Sequence, residues 1–334
     1  MLEKINHKTA PKEVVNALVT LYHQGKFDDV LSRSSQLIKE YPQTFVLHNI
    51  IGAISFEKGQ KEVAIKHFRK VIELRPHHPH AYNNLGAALI DIGEYEEAKS
   101  NLKKAIELQP DYAEAYNNLG NVYKEMEEYN QAISIYEKAI ELNPEYYEAY
   151  NNLGVVLGKN EQYEEAEKVL KQVIKSQPDF VEALNNLGSI LTYMEKYEEA
   201  KAILNRSIRI HSSNAGALSN LGNVYRKLNE YEQAVDQYKR AIQIKPNYYE
   251  ALNNMGLALT ELEKYSEAKN ILKQAIKINP NLAEANNSLG LYYEKLNEYE
   301  KAVDQYKKAI QIKPNYYEAL NNMGLALTEL EKYS

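Results

Sequence analysis

One spacing governs this chain. Prolines stand at Pro42, Pro76, Pro110, Pro144, Pro178, Pro246, Pro280 and Pro314, each 34 residues after the last, except that Ser212 fills one place. Glycines at Gly52, Gly86, Gly120, Gly154, Gly188, Gly222, Gly256, Gly290 and Gly324 keep the same interval. A period of this length, sustained over most of 334 residues, predicts stacked helical units, because one such unit cannot bury its apolar face alone. Each unit then touches only its neighbours, and the stack offers long surfaces instead of an enclosed centre.

Residues 79–112 show the unit. Ala81, Leu85, Ala88 and Leu89 recur at intervals of three and four, which is one face of a helix. Gly93 interrupts, and Tyr95, Ala98, Leu102, Ala105 and Ile106 mark a second amphipathic helix. Pro110 stops it, and Asp111 stands where the next helix needs an N-cap. Gly86 lies inside the first helix, where glycine costs about 1 kcal/mol relative to alanine. The expected reason is close helix approach, with each glycine facing the alanine twelve residues later: Ala64, Ala98, Ala132, Ala166, Ala200, Ala234, Ala268 or Ala302. Ala105, Ala139, Ala241, Ala275 and Ala309 would let the next helix pair come equally close.

These residues resemble a known signature. Tyr116, Leu119-Gly120, Tyr123, Ala132, Tyr136, Ala139 and Pro144 match the tetratricopeptide repeat family slot by slot, over residues 11–334. The resemblance implies an all-α, right-handed superhelical solenoid of antiparallel helix pairs, with the first helix of each pair on the inner, concave face. The expected organisation is a tail at 1–10, a divergent capping repeat at 11–44, eight units over 45–316, and the first helix of an incomplete repeat at 317–334. In the capping repeat Leu18, Val30 and Leu37 replace the small residues. Ser212 and Gly216 mark a departure before the seventh unit, where Ser213 can still cap the helix. At 317–334 the absent second helix leaves an apolar face open, which favours a fragment of a longer chain over a cap. Residues 227–266 and 295–334 differ only at Gln233/Lys301 and Arg240/Lys308. Such copying suggests recent duplication and an adjustable binding surface.

Two kinds of unit alternate. Tyr123 goes with Tyr136, Tyr225 with Tyr238 and Tyr293 with Tyr306. Elsewhere Leu89 goes with Leu102, Leu157 with Leu170, Leu191 with Leu204 and Leu259 with Leu272. Slots that change together are expected to touch.

The composition narrows the function. A net charge of −6 argues against nucleic acid as partner. The lack of cysteine excludes disulfides, thiolate metal sites and cysteine nucleophiles. No apolar run reaches membrane-spanning length, and the start MLEKINHKTAPKEVV has no signal-peptide core, so no membrane partner and a cytoplasmic location are expected. Neither a phosphate loop, a nucleophile elbow nor a zinc-protease motif occurs. Glu96-Glu97 and Glu164-Glu165 read as solvated pairs balanced by Lys103, Lys104 and Lys168. His77, His78 and His80 read as turn residues instead of a metal site, since no further ligand completes the set. The chain therefore reads as no enzyme, with no cofactor and no metal.

The informative polar pattern is a doubled asparagine on the first helix. Asn84, Asn118, Asn152, Asn186, Asn220, Asn254 and Asn322 repeat, with Ser288 in one gap. Asn83, Asn117, Asn151, Asn185, Asn253, Asn287 and Asn321 precede them. An amide both donates and accepts, which suits pairing with the backbone of an extended peptide. The pattern is similar to the asparagine ladder in the repeat arm of O-linked N-acetylglucosamine transferases. The competing reading is structural, with one asparagine of each pair bridging adjacent helices; both hold if each slot has its own role. Glu114, Glu148, Glu182, Glu250, Glu284 and Glu318 share this face, favouring a basic or hydroxyl-bearing partner, or else serve the helix N-terminus. Tyr193 is expected to face the groove, whereas Tyr95, Tyr129 and their counterparts open the second helix as packing residues. A basic clamp for acidic chain ends is not expected, because its slots hold Asn and Glu, and Lys124, Arg226 and Lys227 lie further along.

The resulting expectation is an interaction scaffold that binds a protein or extended peptide in its concave groove. One alternative is the substrate-recognition arm of a larger glycosyltransferase or sulfotransferase. The other is a self-assembling homo-oligomer.

Overall fold

The computed structural model describes residues 9–333. Among them are helices only. The tail assigned to 1–10 lies mostly outside the described residues.

Contacts divide the chain into two units, residues 1–169 and 170–334. Unit 1 holds α1 (Lys12–His23), α2 (Phe27–Glu40), α3 (Phe45–Glu57), α4 (Lys61–Leu74), α5 (Pro79–Ile90), α6 (Tyr95–Leu108), α7 (Ala113–Glu125), α8 (Tyr129–Leu142) and α9 (Tyr147–Lys159). The boundary falls within α10 (Tyr163–Ser176). Unit 2 continues with α11 (Val181–Tyr193), α12 (Tyr197–Ile210), α13 (Ala215–Lys227), α14 (Tyr231–Ile244), α15 (Tyr249–Glu261), α16 (Tyr265–Ile278), α17 (Ala283–Lys295), α18 (Tyr299–Ile312) and α19 (Tyr317–Tyr333). Within each unit consecutive helices pack in pairs, and the first helix of a pair also meets the first helix of the next. The protein is an all-α helical repeat solenoid.

The amphipathic stripes explain the pairing. On α6, Ala98, Leu102 and Ala105 are fully buried, while Glu96 and Lys103 face water. Ala105 packs with Tyr112 and Ala115, and Ala309 with Ala283 and Ala319, so the later alanine admits the neighbouring pair. In the first repeat Leu18 and Val30 fill the space left by the small residues. Leu89 and Leu102 share one core cluster, as do Leu259 with Leu272 and Tyr293 with Tyr306.

Three expectations need correction. The helix glycines do not face the alanine twelve residues later. They face the large side chain sixteen later: a Cβ on Gly120 would stand 2.6 Å from the Tyr136 ring, and one on Gly86 2.6 Å from Leu102. The glycine is thus the recess for the largest core side chain of its own unit. Asp111 does not cap α7, because Tyr112 occupies the cap position without a side-chain cap bond. The Tyr112 ring at that position is buried. Ser213 does not cap α13 either; the Asn214 side chain accepts from the Ala217 N–H at 3.0 Å.

The turn inside each pair needs one left-handed residue. Gly25, Gly59 and Gly93 supply it in the first three repeats, whereas Glu127, Glu161, Glu195, Asn229, Glu263 and Asn297 adopt the same positive φ later. Exposed charges pair between repeats as well as within them. Glu97 meets Arg69 at 2.8 Å and Glu96 meets Lys99, in place of the expected Lys103 and Lys104.

Candidate functional site

The doubled asparagines sit near the middle of the first helix of each pair, on helices held in register by the glycine recess. Their two slots differ. Asn83, Asn117 and Asn253 are buried, while Asn84, Asn118, Asn152, Asn220 and Asn254 are half-buried. Between consecutive repeats the second-slot amide donates to the first-slot amide oxygen of the repeat before. Asn118 Nδ2 reaches Asn83 Oδ1 at 2.9 Å, Asn152 reaches Asn117 at 3.0 Å, Asn220 reaches Asn185 at 2.9 Å and Asn322 reaches Asn287 at 3.1 Å. Asn84 approaches Asn49 Oδ1 at 3.5 Å. Asn151, Asn185 and Asn186 are half-buried, and Asn151 and Asn186 also have partners within the chain.

The first slot is further engaged. Asn83 Nδ2 donates to Glu114 Oε1 at 3.0 Å, and Asn287 approaches Glu318 in the same way. Tyrosines before the first helix close the arrangement: the Tyr112 hydroxyl lies beside Asn83 and Glu114, and that of Tyr146 beside Asn117. Burial first, and then the Glu114 and Glu148 charges, push the Tyr146 hydroxyl up to about 12, against the opposing Asn117 bond. These hydroxyls stay protonated at neutral pH and remain donors. His80 joins them, with Nδ1 2.7 Å from the Tyr112 oxygen. His78 lies edge-on to His80, and no group of three ligands fit for a metal occurs among the described residues.

The two breaks in the pattern have visible consequences. Ser219 takes a first slot, and Asn254 turns instead to Asn223 Oδ1 at 3.0 Å. Ser288 takes a second slot, too short to bridge, and the buried Asn253 Oδ1 is left without a donor. An unpaired buried acceptor costs roughly 1–3 kcal/mol.

At Asn118, Asn152 and Asn220 the second-slot amide donates and its carbonyl is not used, whereas Asn254 Oδ1 accepts from Asn253 Nδ2 at 3.3 Å. Among the described residues no donor reaches Oδ1 of Asn118, Asn152 or Asn220. Each can therefore still accept a bond, and Asn118 and Asn152 can donate another; the Asn220 amide also approaches the Asn185 backbone oxygen at 3.5 Å. Glu114, Glu148 and Glu182 are exposed beside them, and Tyr193 is 69% exposed.

Hollows open along these helices. In unit 1 a cavity of about 470 Å³ has Asn49, Asn83 and Asn84 on its lining, walled by Val19, Tyr22, Val46, Ile50 and Phe56. In unit 2 another of about 400 Å³ gathers Tyr193, Asn220, Asn223, Arg226, Lys227 and Asn254. Sequence reasoning missed Asn223 and its counterpart Asn121. They accept the hydroxyl protons of Tyr238 and Tyr136, each at 2.7 Å. The signal was present: both asparagines stand in units that carry the buried tyrosine. Tyr306 lacks such an asparagine and donates to Glu294 instead.

Known proteins share this architecture. The family model described as the cilia and flagella-associated protein 70 C-terminal domain matches residues 20–251, and two tetratricopeptide repeat models match residues 229–290 and 292–330. Similar folds occur in the APC/C hetero-tetramer Cut9-Hcn1 (17% identity, TM-score 0.65) and in a tetratricopeptide repeat protein from Parabacteroides merdae (15% identity, TM-score 0.63). The alignments cover 90% of this chain and 60% of the former, and 75% and 98% for the latter. The pilF protein of Pseudomonas aeruginosa is 25% identical over 62% of this chain and 94% of its own, with a TM-score of 0.53. No curated protein matches the chain.

Proposed function

This chain belongs to the tetratricopeptide repeat family, and to that of the cilia and flagella-associated protein 70 C-terminal domain; we propose that it is an interaction scaffold binding an extended segment of a partner protein along its asparagine row. One observation carries this reading. The second-slot amides of Asn118, Asn152 and Asn220 are each held by donation to the preceding repeat, with the carbonyl oxygen still open. An extended backbone presents alternating donors and acceptors, and a row of pre-oriented amides meets them without reordering. The first slot anchors the row, and the second slot makes the contact. The role is recognition without chemistry, and the hollows beside the row select side chains.

An array of blocked octapeptides probed with the full chain tests it. Replacing Asn118, Asn152 and Asn220 together by alanine should weaken the retained peptides roughly tenfold or more, at about 0.5–1.5 kcal/mol per neutral bond. The melting temperature should fall by only a few degrees, since the first slot remains. Undiminished binding by this variant, or no retained peptide at all, defeats the proposal.

A second reading is self-association through α19, where Leu320, Leu325 and Leu327 are exposed. Light scattering across concentration separates it: a constant monomer mass eliminates it.

A further inference from the structure

We propose that the unit 2 hollow takes a carboxylate side chain of the bound peptide. This inference rests on the interaction-scaffold reading above. Arg226 and Lys227 on α13 enter the hollow beside Asn220 and Asn254 of the asparagine row. The Nε of Arg226 is buried and has no acceptor. Its guanidinium lies by the Tyr238 hydroxyl, whose proton is already given to Asn223. Among the described residues neither Arg226 nor Lys227 forms an ion pair.

The equivalent position in the other tyrosine-bearing repeats is satisfied within the chain. Lys124 pairs with Glu125 at 3.1 Å, and Glu294 accepts from Tyr306 at 2.6 Å. Arg226 alone of the three keeps a buried N–H unmet. A guanidinium presents a planar fork that a carboxylate fills with two parallel bonds. The charge count selects the anion: Arg226 and Lys227 against Glu195 at the rim leave one positive charge. That matches a singly charged carboxylate better than a phosphate dianion. The site differs from a clamp built on the asparagine slots, since its cations lie one turn further along α13. Tyr193 stands exposed at its mouth and offers a face against which the peptide can lie.

The test uses the full chain and an octapeptide core retained on the array, fluorescein-labelled and varied at one position at a time. Peptides carrying Asp, Asn, Lys or phosphoserine are compared by anisotropy. The Asp peptide should bind about tenfold or more tighter than the Asn peptide at one position, as expected for a charge-assisted bond. Arg226→Gln should abolish that preference. Arg226→Lys, which keeps the charge and loses the fork, should retain part of it, and guards against a folding defect in the first variant. Lys227→Gln should reduce it less. Equal binding of Asp and Asn peptides overturns the carboxylate subsite and leaves the scaffold reading standing. Tighter phosphoserine binding overturns the assignment to carboxylate. If no peptide is retained at all, both readings fall.

Discussion

Residues 249–266 and 317–334 have the same sequence, YEALNNMGLALTELEKYS, and different structures. In the first copy α15 ends at Glu261, Glu263 turns the chain with φ 57°, and α16 folds back over the helix. In the second, α19 runs on through the same residues to Tyr333. Leu259 is 0% exposed and Leu327, its twin, 42%; Leu252 is 1% exposed and Leu320 38%. The segment ELEKY is therefore turn or helix according to whether a second helix lies against it. Among the described residues none lies against that side of α19. Local sequence leaves the choice open, because glutamate, leucine and lysine are good helix formers and no glycine marks the turn.

Four comparisons between the copies sharpen or break this contrast. Leu259→Ala removes a fully buried side chain and should cost roughly 3 kcal/mol, whereas Leu327→Ala should cost well under 1 kcal/mol. Denaturant unfolding of the two variants checks this, and equal losses would show that α19 is covered in solution. Gly256→Ala forces a methyl group to 2.5 Å from Leu272 and should cost roughly 1–3 kcal/mol. At Gly324 nothing lies within 4 Å of the new carbon, so Gly324→Ala should instead stabilise α19 by roughly 0.5–1 kcal/mol. Amide exchange within each helix reads the sign directly. Ser288→Asn supplies the donor that Asn253 Oδ1 lacks and should add about 1 kcal/mol, whereas Asn322 already bonds Asn287 in the copy. A melt no higher than that of the parent chain would show the orphaned oxygen to be hydrated. The smallest effect is expected at Glu263→Gly, which relieves a left-handed residue by up to about 1 kcal/mol. Glu331→Gly should weaken helix α19 by a similar or smaller amount. Exchange rates near both positions decide whether the signs differ.

Much of the site was visible before any coordinates. The doubled asparagine, its interruptions at Ser219 and Ser288, and the alternating tyrosine and leucine units are all periodic and hence legible. Which asparagine is buried was not, because both slots carry the same residue one position apart. Only the stacking of first helices buries Asn83, Asn117 and Asn253 while leaving Asn84, Asn118 and Asn254 half-exposed. The glycine recess was misassigned for a related reason. The pairing of Gly120 with Tyr136 crosses between two helices, and the alanine twelve residues on is equally regular in sequence. Asn121 and Asn223 went unnoticed because they occur in only two units and break no rule.

The periodic apolar, glycine and proline positions determine by themselves that this chain forms paired helices in a repeating stack. Burial of one helical stripe per segment is a local property, and a period of 34 residues repeats it without ambiguity. Tertiary structure alone decided where helices stop without glycine, as at Glu263 against Glu331. It also decided how deeply each amide of a pair is buried. Each of these depends on the neighbour across a helix interface, and identical sequence cannot encode a difference that the neighbour makes.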